Sequence, residues 1–175
     1  VITINFPHLG QAYRIEVYPQ TTLLPNAESI IIVHFDPVKR NEWGAFYDKI
    51  YIGFEGKQAN YKTKINVSGV ISEDFSNLTK KQLKKAAKIV LEKNTFSFDT
   101  ITQGADVQCS FNFSNKGKSE LYIRKVKTTC GCTAGKLDKM VYGANENGSI
   151  NVTFNSRGKQ GKVSQTITII TNDPK

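Results

Sequence analysis

The sequence has few of the residues on which most catalytic and metal-binding sites depend. Its 175 residues include three cysteines, two histidines, one tryptophan and one methionine. Neither histidine has a cysteine or a paired acid near it, which disfavours a catalytic triad or a multi-histidine metal centre. The chain also has no phosphate-binding glycine loop and no pair of carboxylates placed for acid–base catalysis. We therefore predict a protein without catalytic residues and without a cofactor.

Long hydrophobic runs are absent as well. No apolar stretch approaches the roughly 20 residues that a membrane-spanning helix needs, so we predict no transmembrane segment. The chain opens with Val1-Ile2-Thr3-Ile4 and shows no signal peptide and no initiating Met. Such a start is typical of a processed protein or of a trimmed piece. Hydrophobic residues make up 39% and charged residues 22% of the chain, which indicates a globular protein.

The net charge of +9 is the main compositional bias. Acidic glycans, nucleic acids and anionic membranes all attract basic proteins, but an ordinary solvated surface produces the same composition. The sequence contains no RNP-type aromatic motif, no Cys/His finger spacing and no recognition-helix pattern. Nucleic acid is therefore not a predicted partner.

Alternation of apolar and polar residues predicts one strand after another in the first 71 residues. The densest of these, Ile30–Phe35, is rich in β-branched residues and is followed by a hairpin loop, Asp36–Gly44, and a strand at Ile50–Phe54. Turn signals are frequent and helical periodicity is absent in this part. These features favour an antiparallel β-sandwich.

A strand–turn–strand unit occurs twice in the chain. Apolar positions of the first copy correspond to those of the second, in the order Ile31, Val33, Phe35, Ile50, Ile52 against Ile150, Val152, Phe154, Ile167, Ile169. Gly44 corresponds in the same way to Gly161. Two copies predict two similar domains, residues 1–73 and 95–175.

The two copies do not contain the same set of predicted strands. The second begins with an extra predicted strand at Phe96–Ile101, whereas the first continues into a strand at Tyr61–Val67 that the second lacks. We therefore expect each sandwich to lack one edge strand. An open edge invites pairing with another chain or with a second copy, so strand-edge self-association is a predicted contact.

Residues 74–94 are predicted to form a helical linker between the domains. Five apolar residues follow helical spacing: Leu83, Ala86, Ala87, Val90 and Leu91. Thr79 and Gln82 form a capping-box start. Lysines occupy the polar side, which favours a solvated face over a membrane- or glycan-binding one.

The segment Thr128–Thr133 carries the most specific chemistry, because Cys130 and Cys132 are one residue apart. In an extended segment their side chains point the same way. Four hypotheses remain open: a strained and labile Cys130–Cys132 disulfide, a disulfide from one of them to Cys109, thiolates that hold a soft metal, and free thiols. Cys109 shares parity with Phe111 and Phe113 and is predicted to face the core.

Several motifs of the second copy resemble a known bacterial family. They are F-x-F-x-x-I-x-x-G from Phe96 to Gly104, "FNFSNKGKSELYI", "CGC" and "TNDP". The segment from residue 95 to 175 is similar to domain of unknown function 1573, which is common in Bacteroidetes. The resemblance implies an immunoglobulin-like sandwich in an exported protein, often a lipoprotein, and no established activity. The first copy departs from the family, because Thr21-Thr22-Leu23-Leu24 stands in place of the cysteines.

The predicted fold class is all-β, with two tandem immunoglobulin-like antiparallel β-sandwiches joined by one short α-helix. We expect a non-enzymatic binding or scaffolding module of the bacterial cell envelope, in the periplasm or at the cell surface, with a protein or glycan ligand. Trp43, Phe46 and Tyr47, near the first hairpin loop, are the candidate binding residues. The alternative is a thiol redox or soft-metal role centred on Cys130 and Cys132.

Overall fold

The computed structural model describes residues 2–24, 26–55, 63–129, 131 and 133–175. Its contacts divide the chain into an N-terminal unit, Val1–Ser72, and a C-terminal unit, Glu73–Lys175. Within the described residues there are fourteen strands and two four-residue helices, and every strand pair is antiparallel. The predicted all-β antiparallel fold class is confirmed.

The N-terminal unit is built from three small sheets. Its elements are β1 (Ile2–Asn5), β2 (Tyr13–Tyr18), β3 (Thr22–Leu23), β4 (Ile30–Phe35), α1 (Pro37–Arg40), β5 (Gly44–Tyr51), β6 (Gly53–Glu55) and β7 (Lys64–Ile71). The sheets have the strand orders β3-β1-β6, β2-β4 and β5-β7. The predicted strand at 50–54 is therefore the end of β5 together with β6. Part of the predicted strand at 61–67 lies outside the described residues.

Helix α1 occupies the hairpin loop predicted between the two strands of the repeat. Asp36 caps the helix, because its Oδ1 accepts hydrogen bonds from the backbone N–H of Val38 at 3.0 Å and of Lys39 at 3.2 Å. Pro37 has the fixed φ that suits the first turn, and Asn41 ends the helix in the left-handed region at φ 52°. The capping residues therefore explain where this short helix begins and ends.

Aromatic contacts join the β2–β4 pair to the β5–β7 pair. Tyr13 lies 5.3 Å from Phe35, and Phe35 stacks on Phe46 with 4.8 Å between ring centroids. Gly69 on β7 faces the same ring, since a Cβ there would approach the Phe46 side chain to 2.9 Å. The aromatic stack is thus the packing contact between these two layers.

The C-terminal unit is a two-layered sandwich. Its elements are α2 (Lys80–Leu83), β8 (Ile89–Leu91), β9 (Asp106–Asn115), β10 (Leu121–Thr128), β11 (Thr133–Lys136), β12 (Val141–Tyr142), β13 (Asn147–Asn155) and β14 (Ile167–Thr171). One sheet has the order β11-β13-β9-β8 and the other β12-β10-β14. Buried residues of both sheets form one core: Phe113, Ile150 and Val152 from the first, Leu121, Ile123 and Tyr142 from the second.

The predicted amphipathic helix is shorter than its pattern indicated. The capping box at Thr79 and Gln82 is present, but the helix ends at Leu83, and residues 89–91 form a strand on β9. The Asp173 carboxylate holds the Ile89 N–H at 2.9 Å, and sheet pairing supplies the following backbone groups with partners. Tertiary hydrogen bonds therefore override the helical spacing.

The expected strand at Phe96–Ile101 is also not formed in the structure. Phe96 and Phe98 contact each other, with 4.9 Å between centroids, and Phe96 is 45% exposed. Strand β8 occupies the edge beside β9 instead. The apolar alternation in Phe96–Ile101 spans too few residues to distinguish a paired strand from a loop with an aromatic contact.

Asn115 organises the β9–β10 turn, where the sequence indicated only generic turn residues. Its buried side-chain Nδ2 donates to the carbonyl oxygens of Ser119, Tyr142 and Gly143 at 2.8, 3.1 and 3.0 Å. Its Oδ1 accepts from the backbone N–H groups of Gly117 and Lys88, at 3.0 and 3.2 Å. The side chain thus ties the turn to β12 and to the segment that precedes β8.

The motif Thr171-Asn172-Asp173 has a structural role at the other end of the same unit. Asn172 Oδ1 accepts from Tyr122 N at 2.8 Å, and its Nδ2 donates to Glu120 O at 3.0 Å. Asp173 binds the first residue of β8, as described above. This family motif therefore joins the end of β14 to β10 and β8.

Candidate functional site

The three residues predicted to form a binding patch do not lie on one surface. Phe46 and Tyr47 are consecutive in β5, so their side chains point to opposite faces. Phe46 packs inward on Phe35, whereas Tyr47 is 59% exposed. Trp43 precedes the strand and is half-buried. The structure therefore leaves Tyr47 as the exposed member of the set.

Cys130 and Cys132 lie outside the described residues. The two strand ends that flank them are described and are held together, because Thr128 Oγ1 donates to Thr133 O at 2.8 Å. Thr129 N also donates to Thr166 O at 3.1 Å. The cysteine pair thus belongs to a four-residue connection, residues 129–132, between β10 and β11.

Cys109 is a free thiol on β9, opposite Val152. It is partly buried against the core of the C-terminal unit, in agreement with its predicted parity, and burial raises the pKa of its thiol. The structure therefore does not form the alternative disulfide to Cys109. A protonated, core-packed thiol is a poor nucleophile.

A polar cleft in the N-terminal unit, of roughly 400 Å³, is the candidate site. Residues 8–13, ahead of and at the start of β2, form one wall, and the other comes from the end of α1 and from β5. Its ionisable side chains are His8, Tyr13, Lys39, Arg40, Glu42, Asp48 and Lys49. The cleft therefore adjoins the hairpin loop singled out in the sequence, but different side chains line it.

Three of these side chains form a fixed network. Tyr13 donates its hydroxyl proton to Asp48 Oδ2 at 2.5 Å, and the Arg40 guanidinium binds the same oxygen. Arg40 also lies 3.5 Å from Glu42 and stacks over the Phe46 ring at 4.6 Å from its centroid. Arg40 and Asp48 are only 16% and 23% exposed, so this pair is shielded from much of the solvent.

The network fixes the protonation states of its members near neutral pH. Burial, followed by the hydrogen bond to the Asp48 carboxylate, raises the pKa of Tyr13 to about 12. Burial alone would raise the pKa of Asp48, but the hydrogen bonds from Tyr13 and Arg40 outweigh it and lower that pKa. The hydrogen bond to Asp48 raises the pKa of Arg40. Near neutral pH the cleft thus contains the neutral phenol of Tyr13, the carboxylate of Asp48 and the guanidinium of Arg40.

One sequence signal could have revealed this network. Phe46, Asp48 and Ile50 alternate along β5, so Asp48 occupies a position on the inward, apolar face. A carboxylate there requires hydrogen-bonding partners, which is an indication of a built polar cluster. The identity of the partners could not be read from the sequence, because Tyr13 is 35 residues away.

An apolar groove of roughly 420 Å³ opens along β7, the strand that pairs with β5 alone in the described part of the chain. It is lined by apolar and small residues that include Phe35, Phe46, Val67, Gly69 and Ile71. Val70, on the outer side of the strand, is 73% exposed. The sequence predicted an open edge from a missing first strand, which is a different edge and stays a prediction.

Neither a metal cluster nor a membrane-spanning helix is found in the described part of the chain. No three His, Cys, Asp or Glu side chains converge there in an arrangement that could hold a metal ion. No helix there has the length and apolar character needed to cross a bilayer. His8 is exposed beside the cleft, and His34 lies 3.3 Å from Glu16 on β2.

Comparison with known proteins supports the fold and one family. The chain is similar to the crystal structure of a protein of unknown function from Porphyromonas gingivalis W83, with a TM-score of 0.66 and 13% identity. That similarity covers 99% of this chain and 79% of the other, and at this identity it shows the fold alone. No curated protein matches the chain.

The family match falls on the segment that contains the family-like motifs of the sequence. Residues 89–175 match the family described as "Protein of unknown function (DUF1573)". The matched segment begins at β8 and ends with the Asn172–Asp173 motif, which are joined by the Ile89–Asp173 hydrogen bond. The resemblance stated from the sequence is therefore confirmed. The segment from Ile89 to Lys175 is thus similar to this family of unknown function.

Proposed function

We propose that the protein is a non-enzymatic binding or scaffolding module that is exported to the bacterial cell envelope, where it binds a protein or glycan ligand. The observation that carries the proposal is the cleft of the N-terminal unit with its Tyr13–Asp48–Arg40 network. Export, in the periplasm or at the cell surface and as a lipoprotein, rests on the family resemblance of the C-terminal unit.

The charge states of the cleft support recognition over catalysis. A general acid or base works best with a pKa near the operating pH. Tyr13 has a pKa raised to about 12 and the pKa of Asp48 is lowered, so neither group exchanges a proton readily near neutrality. Groups with fixed protonation present a constant pattern of donors and acceptors to a ligand.

The balance of charges favours a neutral, hydroxyl-rich ligand. Arg40 is paired with Asp48 and Glu42, and Lys39 lies 3.9 Å from Asp36. The cleft is therefore lined by charged groups of both signs, without a strong field of either sign. Sugar hydroxyls donate and accept at once and match such a surface, so a glycan fits this cleft better than a polyanion.

Nuclear magnetic resonance titration of the full chain tests the proposal. The probes are maltotetraose, cellotetraose and chitotetraose, together with an uncharged polar peptide as the protein-like alternative. We expect one of the glycans to shift the backbone amides that line the cleft, which are those from His8 to Tyr13 and those of Lys39, Arg40, Glu42, Asp48, Lys49 and Ile50. The Tyr47→Ser variant is the matched control, because its side chain leaves β5 on the opposite face.

The outcomes separate the ligand classes. Cleft shifts with the peptide alone would assign the site to a protein ligand. Shifts confined to other surfaces, or no shifts with any of the probes, would contradict a binding cleft in this unit. Equal loss of binding in the Tyr47→Ser variant and in a cleft variant would also contradict it.

A thiol redox or soft-metal role centred on Cys130 and Cys132 is the second candidate. Its support is the one-residue spacing in a short connection whose strand ends are held by the Thr128–Thr133 hydrogen bond. Cysteines one residue apart suit either a strained disulfide or a pair of ligands for a soft metal. Intact mass without reductant, before and after alkylation, with zinc and copper analysis, distinguishes these states. Three alkylated thiols and no metal would refute this candidate.

Self-association through β7 is the third contact that the geometry supports. The strand exposes Val70 and an outer edge beside an apolar groove, a combination that favours addition of a further strand. We expect the wild-type chain to form dimers in sedimentation velocity and the Val70→Lys variant to be monomeric. A concentration-independent monomer for the wild type would contradict this contact.

A further inference from the structure

The positive charge of the protein is concentrated in the C-terminal unit. Residues 73–175 contain seventeen of the 24 Lys and Arg residues and nine of the 15 acidic ones. The N-terminal unit is therefore nearly neutral, and almost the whole net charge of +9 belongs to the other unit.

Two segments that are distant in sequence meet at one end of this unit. Ser119 Oγ donates to Lys85 O at 2.8 Å, Lys116 N donates to Lys88 O at 2.8 Å, and Lys88 N donates to Asn115 Oδ1. Gly117 permits the contact, because a Cβ there would lie 2.2 Å from Ala86 O. Helix α2 and the turn after it are thereby held against the β9–β10 turn.

The contact brings seven exposed lysines into one surface, which we call the lysine surface. Its members are Lys80, Lys81, Lys84, Lys85, Lys88, Lys116 and Lys118. Among the described residues, no ion pair joins any of the seven to an acid. The nearby Glu120 accepts from the Tyr122 hydroxyl, and Glu146 pairs with Lys139. The lysine surface thus carries a positive charge that no ion pair among the described residues neutralises.

The composition of this surface indicates the kind of polyanion. It contains no arginine for bidentate phosphate recognition and no exposed aromatic ring on which bases could stack. Lysines act as point charges on flexible stems, which suits a laterally mobile array of phosphates. Leu83, 41% exposed among the lysines of α2, supplies one apolar side chain that could enter a lipid interface.

We propose that the lysine surface binds the C-terminal unit to an anionic phospholipid bilayer. The seven lysines on two joined segments match the clusters of four to eight basic residues that bind acidic lipid surfaces. Each lysine close to such a surface strengthens binding about fivefold. The contact is peripheral and electrostatic, and it is independent of the ligand cleft proposed for the N-terminal unit.

Vesicle co-sedimentation of the full chain tests the proposal. The probe vesicles contain equal parts of phosphatidylglycerol and phosphatidylcholine, and vesicles of phosphatidylcholine alone are the neutral comparison. We expect binding to the anionic vesicles only, with a steep loss as salt is raised. The variant Lys81→Gln/Lys84→Gln/Lys118→Gln should bind about a hundredfold more weakly. Its circular dichroism should equal that of the wild type, because all three side chains are exposed.

The matched control removes three cations from the opposite end of the same strands. Arg157, Lys159 and Lys162 follow the far end of β13, where Asn155 pairs with Asp106, about 25 Å from the Asn147–Ser114 end. Replacement of these three by glutamine should weaken binding less than about threefold.

Three outcomes would overturn the proposal. An equal loss in the control variant would show that net charge alone attracts the vesicles. Equal binding to neutral vesicles would show an apolar contact in its place. Tighter binding of single-stranded oligothymidine than of anionic vesicles, lost in the lysine variant, would assign the surface to nucleic acid.

Discussion

Replacement of Asn115 by alanine should strongly destabilise the C-terminal unit. The side chain is fully buried and makes five hydrogen bonds, all to backbone groups. Alanine is small enough for the site, but its side chain can form none of these five hydrogen bonds. The change therefore leaves backbone donors and acceptors without partners at the junction of the β9–β10 turn, β12 and the segment before β8.

The expected loss in free energy of unfolding depends on how many of those backbone groups are shielded from water. The bonds to Tyr142 O and Gly117 N are buried, and the other three are partly buried. An unsatisfied buried group costs about 1–3 kcal/mol, and a partly buried bond contributes less. We expect a loss of about 4 kcal/mol, a large part of the 5–15 kcal/mol typical of a whole domain.

Urea unfolding followed by circular dichroism measures this loss. With a urea dependence of about 1–3 kcal/mol per M, the midpoint should fall by roughly 2 M. The control is Asn112→Ala in the same strand, whose exposed side chain makes one hydrogen bond to Glu92 at 3.0 Å. That variant should lose no more than about 1 kcal/mol.

The variant Asn115→Asp separates hydrogen bonding from shape. The introduced carboxyl can still accept from Gly117 N and Lys88 N, but its second oxygen faces three carbonyl oxygens. Repulsion and burial raise the pKa of that group in the folded state, so its protonated form is favoured there. The variant should therefore be more stable at acid pH and lose stability as pH rises through the raised pKa. Equal stability of wild type and Asn115→Ala would refute the account of the turn.

Three further predictions concern single contacts. Gly117→Ala should lower the free energy of unfolding by about 2 kcal/mol, because its Cβ would meet Ala86 O at 2.2 Å; urea unfolding checks it. Asp173→Ala should increase the hydrogen-exchange rate of the Ile89 amide at least tenfold, since that N–H loses its carboxylate acceptor. Asp48→Asn should destabilise the N-terminal unit above about pH 4, and the difference from wild type should shrink at lower pH, where the wild-type carboxylate, whose pKa is lowered, becomes protonated. Tryptophan fluorescence during unfolding measures that difference, and a pH-independent difference would contradict the lowered pKa.

Sequence periodicity predicted the strands better than it predicted their ends. Residues 30–35 form β4 as expected, and the repeat pairs Gly44 with Gly161, both of which adopt positive φ, at 87° and 66°. These features depend on local chemistry: β-branched residues favour strands, and only glycine adopts such φ freely. The predicted helix after Thr79 extends for only one turn. Asn115 and Asp173, both distant in sequence, accept hydrogen bonds from the segment that follows it.

The candidate site was harder to predict than the fold. Aromatic residues near a loop suggested a patch, but strand geometry sends Phe46 inward and Tyr47 outward. The cleft depends instead on Tyr13, Arg40 and Asp48, which only the packing of β2 on β5 brings together. Similarly, the lysine surface requires the contact between α2 and a turn some thirty residues later. The position of Asp48 on an apolar face is a local signal, but the partners of such long-range contacts cannot be read from the sequence.

The affinity of the N-terminal unit for a glycan tests the central claim most directly. Isothermal titration of the tightest tetrasaccharide probe compares the wild type with Glu42→Gln and Lys39→Gln, which alter the lining of the cleft and leave the Tyr13–Asp48–Arg40 network intact. Loss of one hydrogen bond to a charged group should weaken binding about tenfold or more, and Tyr47→Ser should leave it within about twofold. Unchanged affinity in both cleft variants, or an equal loss in Tyr47→Ser, would contradict a ligand site in this cleft.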